Sequence, residues 1–215
     1  MSLLQFDEKS HSYYLGNKKL SSVTEICSVI GHDIYPNSDP YRKRLAAEKG
    51  SVIHGLCCYL DYEGEVEAPP DCSGYVVAYL KFLAEHSVQW QFIERPIYSE
   101  KLLVAGTIDR FGMIDGDLSL LDIKTGGRIH KDLLSAQLNG YRMILQEKEY
   151  QNIPIVMYGL QLKKDGKYIK YTINESDIFQ LLLNLRAERM KINGTRFNGN
   201  LPNSPGSMRK KGEEL

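Results

Sequence analysis

The chain has 215 residues, of which 42% are hydrophobic and 25% charged, a balance typical of a globular protein. Lys plus Arg and Asp plus Glu both number 27, so the formal net charge is zero, which argues against non-specific coating of nucleic acid by the whole surface. A local basic groove is still compatible with this balance. The length suits one well-buried domain and is short for two.

We expect neither a secretory signal, nor a membrane span, nor a structural role for the cysteines. No apolar run approaches the ~20 residues of a membrane span, and the first residues lack the pattern of a secretory signal. Cys27, Cys57, Cys58 and Cys72 form no CxxC pair and no zinc-ligand spacing. We therefore expect reduced thiols and a cytoplasmic location, with a disulfide or metal role as the alternative.

The first half of the chain predicts a β-hairpin followed by helices. The hairpin turns at residues 15–19, and Ser21 or Ser22 is the expected N-cap of the next helix, with Glu25 completing a capping box. A helix is predicted over 41–65, with a break possible at Gly50, and an amphipathic helix over 74–88.

The second half predicts several strands and two further helices. Strands are expected over 89–99, 102–114 and 118–124, and a second hairpin over 153–173; helices are expected over 130–149 and 174–192. The Gly/Asn/Pro/Ser-rich segment 193–215 is predicted to be a flexible tail. The order of elements predicts one α/β (α+β) domain over 1–192, with a central mixed sheet flanked by helices.

The segment SLLDIKTGG (119–127) has the composition of a buried strand, yet a carboxylate interrupts its apolar run. A hairpin turn at Asp115–Gly116 sets an antiparallel register in which Phe111 faces Leu120 and Asp109 faces Asp122. Burying a lone carboxylate costs several kcal/mol or forces it to take up a proton. The sequence therefore predicts two opposed carboxylates that need a partner.

The identity of that partner decides what this strand can do. Lys124 lies on the same face as Asp122, because side chains alternate along a strand. Either one carboxylate is protonated, or a cation such as Mg²⁺, which prefers oxygen ligands, lies between Asp109 and Asp122. The alternative is a structural Asp122–Lys124 ion pair. With a metal bound, Lys124 could stabilise charge on an attacked phosphate, or hold or deprotonate the attacking water, as phosphodiester hydrolysis requires.

Three further motifs accompany this core in a fixed order. GTID (106–109) precedes DIK (122–124), KGSVIH (49–54) lies upstream, and QLNGY (137–141) lies downstream. Together with the N-terminal segment 6–26, they resemble the PD-(D/E)XK nuclease superfamily in its RecB-type and phage exonuclease branch. The resemblance covers residues 5–192. It implies a restriction-endonuclease-like fold, with an N-terminal hairpin and helices over 1–90 and a catalytic core over 91–192.

The resemblance implies a specific set of metal ligands. His54, Asp109 and Asp122 would bind the metal, and the backbone carbonyl of Ile123 would complete the site. Glu94 would bind a second metal or a water, or orient another ligand; a strand-end salt bridge with a nearby basic residue is the alternative. Taken alone, a helical histidine is more often a satisfied core residue than a ligand, and no set of zinc ligands lines up around it.

The resemblance also assigns three residues to catalysis. Lys124 would be the catalytic lysine, and Gln137 and Tyr141 would line the DNA-facing side of the site. Independently of the resemblance, Gln137 and Tyr141 are four residues apart and share a helix face, so Gln137 is a polar residue on an apolar stripe. The alternative is a glutamine at the rim beside a core tyrosine.

Two basic clusters, around residues 42–49 and 128–131, flank the inferred site. We expect some of these residues to bind the DNA backbone, and the backbone amides of the glycine pair that follows Thr125 to approach a phosphate. The candidate DNA contacts are Arg44, Lys49, Ser51, Thr125 and Arg128.

The function implied is a Mg²⁺- or Mn²⁺-dependent DNA exonuclease of phage or prophage type, acting in recombination or end resection in a bacterial or phage-infected cell. A single-strand annealing protein is a candidate partner, a homo-oligomer is left open, and no membrane partner is expected. Because no cysteine follows Cys72, we expect no iron–sulfur cluster of the kind some RecB-type nucleases hold. Two alternatives remain: a structure-selective repair endonuclease, and a non-catalytic DNA-binding module that retains the fold.

Overall fold

The computed structural model describes residues 4–7, 10, 12–34 and 39–198, with the backbone alone described at 31–34, 148 and 190–198. Strands and helices follow one another along the described chain as β1 (Leu4–Asp7), β2 (Ser12–Leu15), β3 (Lys18–Ser22), α1 (Val23–Ile34), α2 (Pro40–Glu63), α3 (Ser73–Glu85), β4 (Val88–Ser99), β5 (Val104–Ile114), β6 (Asp117–Lys124), α4 (Lys131–Lys148), β7 (Val156–Leu162), β8 (Tyr168–Ile173) and α5 (Ile178–Asn198). Within the described residues, no helix is long and apolar enough to cross a membrane.

The eight strands of the described residues belong to one mixed sheet in the order β1-β2-β3-β5-β6-β7-β8, with β4 paired to β5. β3 pairs with β5 and β6 with β7 in parallel, and the other pairs are antiparallel. β4 follows one edge of β5 along its whole length, so β3 and β6 must share the opposite edge. β3 pairs with Val104 and Ala105, and β6 with residues 110–114, which leaves residues 106–109 without a ladder on that edge.

Helices cover both faces of the sheet. On one face α1, α4 and α5 enclose a core that includes Ile26, Leu138 and Phe179. On the other face α2 and α3 enclose a second core around Ile53 and Phe82. β6 contributes to both cores because its side chains alternate between them. The predicted fold class, an α/β (α+β) domain with a central mixed sheet flanked by helices, is confirmed.

The start of α1 has the predicted capping box. The Glu25 backbone N–H donates to Ser22 Oγ at 2.9 Å, and the Ser22 backbone N–H donates to Glu25 Oε2 at 3.4 Å. These two bonds satisfy amide groups that have no partner within the helix. Of the two N-cap candidates, the structure therefore selects Ser22.

Two helices are more continuous than the sequence predicts. α2 has no break at Gly50, and α5 continues to Asn198, past the predicted helix end at Ile192. A glycine inside a helix costs only about 1 kcal/mol relative to alanine, so it need not end one. Residues 199–215 lie outside the described part of the chain, and the division into a domain and a tail stays a prediction.

Candidate active site

The hairpin between β5 and β6 sets the geometry of the site. Asp115 and Gly116 both have positive φ, 52° and 94°, as a two-residue turn of type I′ requires. Phe111 pairs with Leu120, so the predicted register is confirmed. The ladder ends at the pair Arg110–Leu121, one step before the two aspartates. The strands separate there, and the opposed carboxylates lie at the point of separation.

Asp109 occupies the position where the ladder would have continued. Its Oδ2 accepts a hydrogen bond from the Ile123 backbone N–H at 2.6 Å, so a side chain replaces the missing backbone partner. The Ile123 carbonyl oxygen lies 3.0 Å from Nε2 of His54 in α2. A carbonyl can only accept, so this bond requires hydrogen on Nε2, and Nδ1 is the ring nitrogen directed at the carboxylates.

His54, Glu94 and Asp109 form a cluster of metal-ligand type. His54 Nδ1 lies 3.4 Å from Glu94 Oε1 and 3.6 Å from Asp109 Oδ2. One candidate ligand atom from each of the three residues lies within 4.8 Å of the other two. Two carboxylate oxygens with one imidazole nitrogen suit a hard divalent cation, and Mn²⁺ also accepts the nitrogen. The donor set therefore fits the metal that the sequence implies.

Asp122 lies beside this cluster but has a different partner. Its side chain is 3% exposed, and Oδ2 lies 2.6 Å from Lys124 Nζ. Lys124 also donates to Gln137 Oε1 at 3.1 Å, and Gln137 Nε2 donates to Tyr141 Oη at 3.2 Å. The structure thus contains the predicted Asp122–Lys124 ion pair together with a polar chain that runs into α4.

The charges of the cluster follow from burial and proximity. Burial opposes charge on the His54 ring, but the Asp109 and Glu94 carboxylates outweigh it and raise the pKa of His54 to about 9. Burial raises the pKa of Asp122 to about 6, against the lowering effect of the Lys124 ammonium. Burial would lower the pKa of Lys124, but Asp122 and then Asp109 raise it above its ordinary value. Without a metal, the imidazolium supplies the positive charge that the carboxylates need.

Tyr141 lies beneath the site and not on its open side. It is 4% exposed, and burial raises the pKa of its hydroxyl well above the ordinary value. A Cβ added to Gly106 would lie 2.6 Å from Tyr141 Cε1, so the glycine of the GTID motif makes room for the tyrosine ring. At this depth Tyr141 can orient Gln137, but Tyr141 does not lie on the DNA-facing surface where the sequence predicted it.

A cleft of about 710 Å³ opens above these groups. His54, Glu94, Asp109, Asp122, Ile123, Lys124 and Gln137 all line it. Ser51 and Thr125, two of the predicted DNA contacts, lie in its walls, and so do Gly50 and Gly126. The sequence motifs, separated by as many as 87 positions (50 to 137), therefore converge on one open surface.

The predicted basic contacts are not equivalent. Arg128 lines a smaller cavity of about 170 Å³ that shares Lys124 and Gly126 with the main cleft. Arg44 is exposed and pairs loosely with Glu48 at 3.6 Å. Lys49 Nζ instead lies 3.1 Å from Asp71, outside the lining of the cleft. Arg128 thus adjoins the main cleft. Arg44 and Lys49 both lie outside its lining, and Lys49 has the closer acidic partner of the two.

Sequence reasoning missed the support of the loop that follows β6. Gln161 is 3% exposed, and its Nε2 donates to the Gly126 carbonyl at 2.7 Å and the Gly127 carbonyl at 3.3 Å. Tyr171 Oη donates to Gln161 Oε1 at 3.1 Å. We call these contacts of Gln161 and Tyr171 the Gln161 brace. They hold the loop of residues 125–128, which follows β6. The available signal was a polar residue in the apolar run of β7.

Comparison with known proteins finds no matching family model and no matching curated protein. Among solved structures, the chain is similar to an alkaline exonuclease from Laribacter hongkongensis, with 15% sequence identity and a TM-score of 0.37, over 83% of this chain and 94% of that one. A likeness at this level identifies neither a family nor a function.

Proposed function

We propose that the protein is a divalent-metal-dependent nuclease that hydrolyses phosphodiester bonds in DNA, and that it belongs to the PD-(D/E)XK superfamily. One observation carries the proposal: the His54–Glu94–Asp109 cluster and the Asp122–Lys124 pair lie in the same open cleft. A cleft that presents ligands for a hard cation beside a fixed ammonium suits an anionic phosphoryl centre.

His54, Glu94 and Asp109 would hold the metal, with Asp122 and the Ile123 carbonyl adjoining it. When bound there, Mg²⁺ or Mn²⁺ would supply Lewis-acid chemistry, which would polarise a phosphoryl oxygen and make the attacking water more acidic. Before the metal enters, His54 must release a proton, because its raised pKa keeps the ring charged at neutral pH. Its bond to the Ile123 carbonyl keeps Nδ1 directed at the carboxylates.

Lys124 acts as a fixed positive charge. Its raised pKa keeps the amine protonated at neutral pH, so it stabilises negative charge on the attacked phosphate in preference to removing a proton from water. Asp122 and Gln137 hold the ammonium from two sides, at 2.6 and 3.1 Å, and Tyr141 holds Gln137. The catalytic lysine therefore needs no reorganisation as charge develops.

The finer assignment is an exonuclease of phage type that resects DNA ends in recombination, beside a single-strand annealing protein. Its support is the set of sequence motifs and their order. A repair endonuclease would use the same cleft, and the two activities differ in whether a DNA end is required.

Acid-soluble nucleotide release from linear duplex DNA tests the proposal. Wild type should release nucleotides with Mg²⁺ or Mn²⁺ and release none with EDTA. The Asp109→Asn variant, which is similar in shape and less able to bind a cation, should release none with either metal. DNA binding without release by wild type under all conditions would contradict the proposal and favour a non-catalytic binding module.

A further inference from the structure

Arg110 is a buried cation beside the cluster of His54, Glu94 and Asp109. The proposed reaction gives this arginine no role. Its side chain and that of Asp61 are 0% and 1% exposed, and Arg110 Nε lies 2.6 Å from Asp61 Oδ2. Tyr79 Oη donates to both carboxylate oxygens of Asp61 at 2.9 Å, and Trp90 Nε1 donates to one of them at 3.0 Å. The position of Asp61 is therefore set by three donors.

One nitrogen of Arg110 connects the two acidic members of the cluster. Nη1 donates to Glu94 Oε1 at 3.0 Å and to the backbone carbonyl of Asp109 at 2.7 Å. Asp61 lies in α2, about two helical turns after His54. Through its two ends, the guanidinium links α2, β4 and β5, the elements that carry His54, Glu94 and Asp109.

Stability alone gives a poor account of this arrangement. Replacing a buried ion pair by apolar residues of similar volume is often neutral or stabilising. Arg110 Nη2 is also buried without a hydrogen-bond partner among the described residues. Glu94 has φ of 46°, a left-handed conformation that is costly for a residue with a Cβ. An unpaired buried nitrogen and a costly backbone conformation thus occur together beside the cluster, and such exceptions to local rules are expected at functional sites.

We propose that the Arg110–Asp61 pair is a positioning device that sets the geometry of the metal site. Arg110 offsets the negative charge of Glu94 and fixes the direction of its carboxylate, while Asp61 anchors Arg110 to the helix of His54. The inference rests on the proposed metal-dependent function. Partners that orient metal ligands in this way typically change metal affinity by about 10- to 100-fold when they are lost.

The test is Mn²⁺ binding by calorimetry at fixed pH, with thermal unfolding in EDTA as the measure of folding. Asp61→Leu/Arg110→Met removes both charges together and avoids leaving one of them buried alone. We expect this double variant to fold and to bind Mn²⁺ at least about tenfold more weakly than wild type. Lys170→Met is the matched control, since Lys170 is a partly buried cation that lies 3.8 Å from Asp115 at the hairpin turn. Its Mn²⁺ affinity should equal that of wild type.

Each outcome decides the inference. A folded double variant with wild-type Mn²⁺ affinity would overturn it and leave the proposed function standing. If the double variant does not fold, Arg110→Lys replaces it, because an ammonium can pair with Asp61 but has no fork to reach Glu94 as well; the same tenfold loss is expected, and an unchanged affinity overturns the inference. If neither variant folds, the pair is a folding element and the inference is wrong. A wild type that neither binds Mn²⁺ nor cleaves DNA would instead overturn the proposed function.

Discussion

Lys124 Nζ lies 2.6 Å from Asp122 Oδ2, and this contact separates the roles of the two opposed aspartates. Asp122 has a cation of its own and is nearly inaccessible, whereas Asp109 is directed at His54. The sequence presents an ion pair and a metal site as alternatives, but the structure has the Asp122–Lys124 ion pair and a cluster of potential metal ligands in one cleft. A buried carboxylate next to an ammonium also fixes that ammonium, so the pair can position Lys124 for catalysis.

Replacing Lys124 tests the role of the fixed charge. Lys124→Gln should lower the rate of DNA cleavage by about 10²- to 10³-fold, the usual effect of removing one preorganised electrostatic group from an active site. DNA affinity should remain close to that of wild type, because the Lys124 ammonium is paired with Asp122 and Gln137 and contributes little to binding in the ground state. Initial rates and gel-shift affinities measure the two effects. Lys164→Gln, in the exposed β7–β8 turn, is the control. If Lys124→Gln cleaves DNA as fast as wild type, Lys124 has no role in the proposed mechanism.

His54 and Asp122 should each contribute less to the stability of the metal-free protein as pH rises. The pKa of Asp122 is raised from 3.8 to about 6, so the folded protein retains a proton that the unfolded chain releases in this range. The pKa of His54 is raised from 6.5 to about 9, so its contribution is complete below pH 6.5 and is lost as pH rises through 9. The loss between pH 6.5 and pH 9 should be about 3 kcal/mol, because each pKa unit corresponds to about 1.4 kcal/mol.

Thermal unfolding in EDTA from pH 4 to pH 9.5 measures this dependence. His54→Gln should abolish the fall between pH 6.5 and pH 9 and keep the one at lower pH. Added Mn²⁺ should stabilise the wild type increasingly as pH rises, because the metal requires a deprotonated ring. An identical pH profile for wild type and His54→Gln would contradict the charge assignment of the cluster.

The predicted basic contacts should divide into two classes. Arg128→Ala and Arg44→Ala should each weaken DNA binding and reduce the salt slope of log K by about 0.7 to 0.9, the value of one phosphate contact. Lys49→Ala should change neither quantity appreciably, because Lys49 is paired with Asp71 and lies 5.4 Å from the centre of the Tyr75 ring. Fluorescence anisotropy over a salt series measures the slopes. The division fails if Lys49→Ala reduces the slope as much as Arg128→Ala does.

Weakening the Gln161 brace should reduce DNA binding but leave metal affinity unchanged. Tyr171→Phe removes the hydroxyl that holds Gln161, at a cost of about 1 kcal/mol, and loosens the loop that carries Thr125. We expect a KM for DNA raised about fivefold, with kcat and Mn²⁺ affinity unchanged. Tyr168→Phe makes the same change in the same strand, where the hydroxyl instead contacts Glu85. Equal kinetics for the two variants would exclude the brace as a determinant of binding.

The sequence could predict the β5–β6 geometry because that geometry is local. A two-residue turn and the side-chain period of a strand fix which residues face each other, and the observed pairs follow. The capping box at Ser22 and Glu25 was predictable for the same reason, since both residues lie within one helical turn. The positions of His54 and Gln137 came from motif resemblance, because the contact of two helices with one strand end is a long-range property.

The rest of the site depends on features that no local pattern encodes. Glu94 reaches His54 through a left-handed backbone conformation, which the sequence around it does not require. The pairing of Arg110 with Asp61 joins residues 49 positions apart. Tyr141 shares the helix face of Gln137 as predicted, but its depth beneath the cleft is set by Gly106 of another element. Such contacts become visible only when the packed elements are seen together.

The most direct test incubates end-labelled linear duplex and closed circular DNA in parallel, with Mg²⁺, Mn²⁺ or EDTA. Wild type should degrade linear DNA with either metal, leave the circle intact, and lose all activity in EDTA; Asp109→Asn should be inactive throughout. Cleavage of the circular DNA would support a nuclease but would show that it is an endonuclease and not an exonuclease. Stable DNA binding with no cleavage under any metal would contradict the central claim.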